Sequence, residues 1–85
     1  MDTEKLLLKV KRTNRKTGNY DDETLIELIE QVKRDIIRMG VKEEVANSEL
    51  SIGVIAQGVF EKDNLHQYTA DFKEQVIGLR TIKGV

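Results

Sequence analysis

Two pairs of adjacent carboxylates are the residues whose type and spacing come nearest to acid–base chemistry: Asp21 with Asp22, and Glu43 with Glu44. A catalytic carboxyl group needs a pKa shifted by an apolar pocket or by a nearby titratable partner such as histidine. Neither pair has such a neighbour in the sequence. Asp21 and Asp22 instead suit the first turn of a helix, where carboxylates bind free backbone N–H groups. We therefore expect no catalytic residue at either pair.

The sequence also lacks the residues that a metal site or a phosphate-binding site requires. The chain has no cysteine and one histidine, His66, so a zinc site cannot assemble its usual ligands. Ser48 and Ser51 are not part of a nucleophile motif, and the glycines form no phosphate-binding loop. The sequence predicts a protein without a metal, a cofactor or an enzymatic activity.

Residues 5–16 carry six basic side chains and no acidic one, in a chain whose net charge is -1. Such a segment can neutralise phosphates and bind DNA with an affinity that falls as salt rises. It contains no aromatic residue to stack on bases. The alternative is a solvated helix face, or a patch that meets acidic residues of a neighbouring subunit. The candidate DNA-facing residues are Lys9, Lys11, Arg12, Arg15 and Lys16.

The length of 85 residues allows one hydrophobic core, so we expect a single domain over residues 1–85. Hydrophobic residues make up 39% of the chain, which favours folding over disorder. Charged residues interrupt the first ten positions, and no apolar stretch approaches the ~18 residues of a membrane span. We expect a soluble protein that is made inside a cell and has no membrane partner.

Helical spacing dominates the chain, which contains no proline. Between Leu25 and Met39 the apolar residues recur every three or four positions, as on one face of a helix. Asp21 suits the N-cap of this helix, and Gly40 suits the left-handed position after its end. The sequence predicts an all-α fold, a small bundle of about four helices near residues 3–12, 21–39, 48–61 and 65–80.

In two segments the sequence pattern does not distinguish a helix from a strand. Leu6, Leu8 and Val10 alternate with Lys9 and Lys11, as in a half-buried strand. Residues 50–60 are uncharged and include Gly53 and Gly58, each of which costs about 1 kcal/mol relative to alanine inside a helix. Either close backbone contact favours these glycines or the segment is a strand. We favour helix for both segments.

Four apolar residues lie away from the main stripes of the predicted helices. Ile26 and Ile37 widen the apolar arc of the second helix beyond the ~100° that one packing partner needs. Leu50 and Val54 lie on the far side of the third helix. This is more apolar surface than a small monomer easily covers, which indicates self-association or a protein partner. The candidate subunit-interface residues are Ile26, Ile37, Leu50 and Val54.

The order of features along the chain has a known parallel. A short N-terminal helix precedes an acidic helix start, a long apolar run that ends at glycine and valine, an apolar helix of small residues, and a terminal helix with aromatic residues. The residues that carry the likeness are Tyr20, Asp21, Asp22, Glu23, Leu25, Ile26, Leu28, Ile29, Gly40, Val41, Phe60, Tyr68, Phe72, Leu79 and Arg80. The sequence resembles the small head-to-tail connector proteins of tailed bacteriophages and prophages, also called head-completion or adaptor proteins.

The resemblance implies a non-enzymatic structural protein that forms a homo-oligomeric ring beneath the portal protein. The ring would extend the DNA channel and offer a docking surface to the next tail-side adaptor. It also implies a place in the virion, at the head-to-tail junction, after synthesis in the cytoplasm of the bacterial host. The alternative is a small helical regulatory module that binds nucleic acid through residues 5–16 or binds one protein partner.

Overall fold

The computed structural model describes residues 3–13 and 21–82. Within these residues the chain forms five α-helices and one 3₁₀ turn, and no strand. The predicted all-α fold is confirmed. In chain order the elements are α1 (Thr3–Thr13), α2 (Asp22–Arg38), α3 (Glu43–Ala46), the 3₁₀ turn (Glu49–Ser51), α4 (Ile52–Asn64) and α5 (Ala70–Arg80).

Both ends of α2 match the predicted caps. Asp21 is the N-cap, and its Oδ1 accepts a hydrogen bond of 2.8 Å from the backbone N–H of Thr24. At the other end Gly40 has a φ of 110°, and its N–H donates to the carbonyl of Ile37. The N–H of Val41 donates to the carbonyl of Ile36, which completes a Schellman motif. Glycine suits this position because its left-handed backbone strains other residues.

The two segments whose sequence pattern also fits a strand are both helical. In α1, Leu6 and Val10 lie one helical turn apart and are fully buried. In α4, Gly58 allows close packing, because a Cβ there would lie 2.6 Å from Cγ1 of Val32. Gly53 faces open space, with nothing within 4 Å of such a Cβ. Close backbone contact therefore accounts for Gly58 and not for Gly53.

The predicted start of the last helix at residue 65 is wrong. Helix α4 continues to Asn64, and α5 begins only at Ala70. His66, in the loop between them, has a left-handed backbone with φ 57°, which interrupts helical geometry. Thr69 then caps α5, and its hydroxyl accepts a hydrogen bond of 3.3 Å from the N–H of Phe72. The apolar spacing before residue 70 therefore belongs to a loop.

The predicted helix over residues 48–61 is divided into two elements. Ser48 caps the 3₁₀ turn, where its hydroxyl accepts from the N–H of Leu50, and α4 follows from Ile52. The Ser51 hydroxyl is buried and donates to the carbonyl of Val45 at 2.7 Å. This bond attaches the start of α4 to the short helix α3, which lies in the connection after α2.

Helix α4 occupies the centre of the bundle. It contacts α1 most extensively and also contacts α2 and α5. Because helices pack around much of its circumference, apolar residues on several of its sides are buried. The largest fully buried side chains are Phe72, Leu6, Leu25, Ile36, Ile55, Val10, Val32, Val45, Val59 and Val76.

Candidate functional site

The basic segment is partly engaged in ion pairs. On α1, Lys9, Lys11 and Arg12 are exposed, but the Lys11 Nζ lies 2.9 Å from a carboxylate oxygen of Asp22 on α2. The Lys5 Nζ likewise lies 3.2 Å from the Glu49 carboxylate. Each exposed pair stabilises the fold by at most about 1 kcal/mol, but it partly neutralises a cation that could meet phosphate. Arg15 and Lys16 lie outside the described residues.

The four predicted interface residues differ in exposure. Ile26 is 36% exposed and Leu50 is 53% exposed, so both offer apolar surface. Ile37 is partly buried and packs against the core. Val54 is only 8% exposed and belongs to the core, so its assignment to a subunit interface is wrong. The cause is the central position of α4, on which the side away from the main stripe is covered by neighbouring helices.

The carboxylate pairs occupy helix starts. Hydrogen bonds to Thr24 lower the pKa of the Asp21 carboxyl, as expected for an N-cap. Glu43 and Glu44 are exposed in the first turn of α3. No three acidic or histidine side chains converge as metal ligands in the described part of the chain. Among the helices that the structure describes, none has the length and apolar character needed to span a membrane.

A polar cluster that the sequence analysis did not identify joins α2, α4 and the loop before α5. Oδ2 of Asp35 accepts hydrogen bonds from Lys62 Nζ at 2.8 Å and from the Tyr68 hydroxyl at 2.5 Å. All three side chains are partly buried. The ring of Tyr68 also stacks on Phe72, with 4.3 Å between centroids. The cluster has no local motif, because its members come from distant parts of the chain.

A second polar cluster surrounds Glu61, which is 4% exposed. Its Oε1 accepts a hydrogen bond of 2.7 Å from the backbone N–H of Thr69. Its Oε2 accepts from the Thr69 hydroxyl at 3.0 Å and from Gln57 Nε2 at 2.8 Å. These bonds attach the end of α4 to the N-cap of α5 and satisfy a buried carboxylate. These hydrogen bonds therefore fix the position of α5 relative to α4.

The hydrogen bonds of the first cluster determine its charge state. Burial has the largest single influence on Asp35 and raises its pKa, but the hydrogen bonds from Lys62 and Tyr68 outweigh it, so the pKa is lowered. Burial, followed by the hydrogen bond to Asp35, raises the pKa of Tyr68 above its ordinary value of 10.0. At neutral pH the pair is therefore a carboxylate and a phenol. Neither group is poised to exchange protons near pH 7.

We expect Tyr68→Phe to reduce the loss of stability at alkaline pH. Because folding raises the pKa of Tyr68, its contribution is present below about pH 10 and is lost as the pH rises through the folded-state value. Urea unfolding at about pH 8 and about pH 10.5 measures the unfolding free energy of the wild type and of Tyr68→Phe. At about pH 8 the variant should lose about 1 kcal/mol with the hydrogen bond. If the unfolding free energies of the two proteins changed equally between these pH values, folding would not raise the pKa of Tyr68.

A polar hollow and an apolar groove lie on the surface of the described part of the chain. A polar hollow of about 290 Å³ lies beside the Asp35 cluster and is lined by Gln31, Arg34, Asp35, Arg38 and Lys62. An apolar groove of about 320 Å³ lies between the end of α2 and α5; we call it the α5 groove, and it is lined by Met39, Lys73, Val76, Ile77 and Arg80. Ile77 is 53% exposed, and the sequence analysis did not identify it. Its position away from the stripe of Phe72, Val76 and Leu79 was the available signal.

Comparison with known proteins finds no protein family that matches this chain, no similar curated protein and no similar solved structure.

Proposed function

We propose that the protein is a non-enzymatic structural protein that assembles into a homo-oligomeric ring, as a head-to-tail connector of a tailed bacteriophage or prophage. The resemblance described above supports the phage assignment. The polar clusters support a structural role, since Asp35, Glu61 and Tyr68 are each engaged in hydrogen bonds between elements.

The observation that carries the proposal is the number of large apolar side chains left exposed on different elements. Leu8 on α1, Ile26 on α2, Leu50 in the 3₁₀ turn and Ile77 on α5 are each at least 36% exposed. Single exposed apolar residues are ordinary, but Ile77 also borders an apolar groove. A ring needs two different adhesive surfaces on each subunit, and exposed apolar residues on separate elements can supply them.

In this function the ring docks on the portal protein at the head-to-tail junction and receives a tail-side adaptor. The DNA channel passes through its centre. Lys9 and Arg12 are the cations of α1 that form no ion pair with any described residue, and they are suited to non-specific contact with phosphates. The protein is made in the host cytoplasm and functions in the virion.

A regulatory module that binds nucleic acid through residues 5–16 has less support. Lys5 and Lys11 are already paired with carboxylates of other elements. The segment would therefore present a weaker positive surface than its sequence indicates.

We expect the purified protein to form a closed ring in solution. Light scattering should give a mass that is a whole-number multiple of the 9.7 kDa chain and does not change with dilution over the working range. Negative-stain electron microscopy should show rings with a central channel. A monomer at every concentration tested would contradict the proposed function.

A further inference from the structure

The α5 groove has an apolar floor and a positive rim. Met39, Val76 and Ile77 supply apolar surface, while Lys73 and Arg80 lie one turn to either side of Ile77 along α5. Neither cation forms an ion pair with any residue that the structure describes. A partner that fills this groove must therefore combine an apolar side chain with negative charges around it.

The chain itself presents a surface with this composition. Ile26 is 36% exposed on α2. Acidic residues lie around it at one turn before, at the next position and one turn after, and we call this set the Ile26 face. Its members are Ile26, Asp22, Glu23, Glu27 and Glu30.

Two of the four carboxylates of the Ile26 face are available to a partner. Asp22 pairs with Lys11, and Glu30 lies 3.5 Å from Lys33. Glu23 and Glu27 are exposed and form no ion pair within residues 3–13 and 21–82. The face therefore has an exposed apolar centre and a negative rim.

We propose that the Ile26 face of one copy docks into the α5 groove of the next copy, and that this contact builds the ring. Apolar surface meets apolar surface at the centre, and Glu23 and Glu27 meet Lys73 and Arg80 at the rim. The inference rests on the proposed function, because it assigns the subunit contact within that ring. The complementary charges favour this pairing over contact between two identical faces.

The two surfaces lie on different flanks of α2, as a ring requires. Ile26 and Met39 are 13 positions apart, which places them about 140° from each other around the helix axis at about 100° per residue. Each copy can therefore give one surface and receive on the other, which is a heterologous contact. The side of α5 beside Ile77 is also open, since a Cβ on Gly78 would meet nothing within 4 Å.

The test uses two variants that block opposite surfaces. We expect Ile26→Asp and Ile77→Asp each to weaken association about a hundredfold or more, because the new carboxylate would be desolvated without a partner. Each variant keeps one intact surface. Mixed in equal amounts they should form heterodimers and nothing larger, which light scattering and native mass spectrometry detect. Leu65→Asp is the matched control: it is 48% exposed, lies outside both surfaces and should assemble like the wild type.

Charge reversal tests the rim without touching the apolar centre. Lys73→Glu and Glu27→Lys should each weaken association about tenfold, and mixing the two variants should restore part of the loss at the reversed contact. Both positions are exposed, so neither change should unfold the chain. Rings that persist in all four variants would overturn this inference and leave the proposed function standing. A wild-type protein that stays monomeric would overturn both.

Discussion

The Val54→Asp variant is expected to lose a large share of its folding free energy and to melt at a much lower temperature than the wild type. Val54 is 8% exposed on the central helix α4 and belongs to the apolar core. An aspartate there is either a buried charge without a partner or a protonated acid in an apolar site, at a cost of about 3–5 kcal/mol. A domain of this size has a total stability of about 4–13 kcal/mol. Far-UV circular dichroism and a thermal melt measure the loss directly.

Leu50→Asp is the matched control for this variant, because Leu50 lies four positions earlier and is 53% exposed. The same carboxylate would remain hydrated there, so the change in unfolding free energy should stay within about 0.5 kcal/mol. A Val54→Asp protein with the wild-type melting temperature would show that this side chain is not part of the core.

Alanine substitutions at the two glycines of α4 are expected to differ in stability by about 1–3 kcal/mol. A Cβ at Gly58 would lie 2.6 Å from Cγ1 of Val32 and 2.8 Å from Cε2 of Phe72, so buried side chains must move. A Cβ at Gly53 meets nothing within 4 Å. Gly58 lies inside α4 and Gly53 in its first turn, so the gain in helix propensity is at most about 1 kcal/mol at either position, and it is not smaller at Gly58. A lower stability of Gly58→Ala therefore reports the steric cost.

Gly53→Ala should therefore be more stable than the wild type, and Gly58→Ala should be clearly less stable than Gly53→Ala. Chemical denaturation of the three proteins under one set of conditions gives the comparison. Equal stabilities for the two alanine variants would mean that α4 does not approach α2 and α5 closely at residue 58.

Helix α2 shows how much can be predicted from contiguous residues. Its apolar spacing, its N-cap at Asp21 and its left-handed Gly40 were all predicted, and all three are confirmed. These features depend on interactions between residues a few positions apart, so the chain needs no distant contact to define them.

Helix α5 shows where the same reasoning fails. Leu65, Tyr68 and Phe72 continue a helical spacing, yet the helix begins only at Ala70. The Glu61 carboxylate holds the backbone N–H and the hydroxyl of Thr69, and this contact across the loop positions the new helix start. Periodicity describes how a helix would bury its residues, and it cannot report a hydrogen bond that ends one helix and begins another.

The candidate interface residues also show which properties follow from local sequence and which depend on tertiary packing. Ile26 and Val54 are alike in sequence, since each is an apolar residue away from the stripe of its own helix. Ile26 is exposed because the flank of α2 around it is open, while Val54 is buried because α4 has helices on several sides. The α5 groove likewise exists only because the end of α2 lies beside Ile77. A residue's angle around its own helix axis follows from its position in the chain, but its burial depends on which other helices pack against it, and those contacts join residues far apart in sequence.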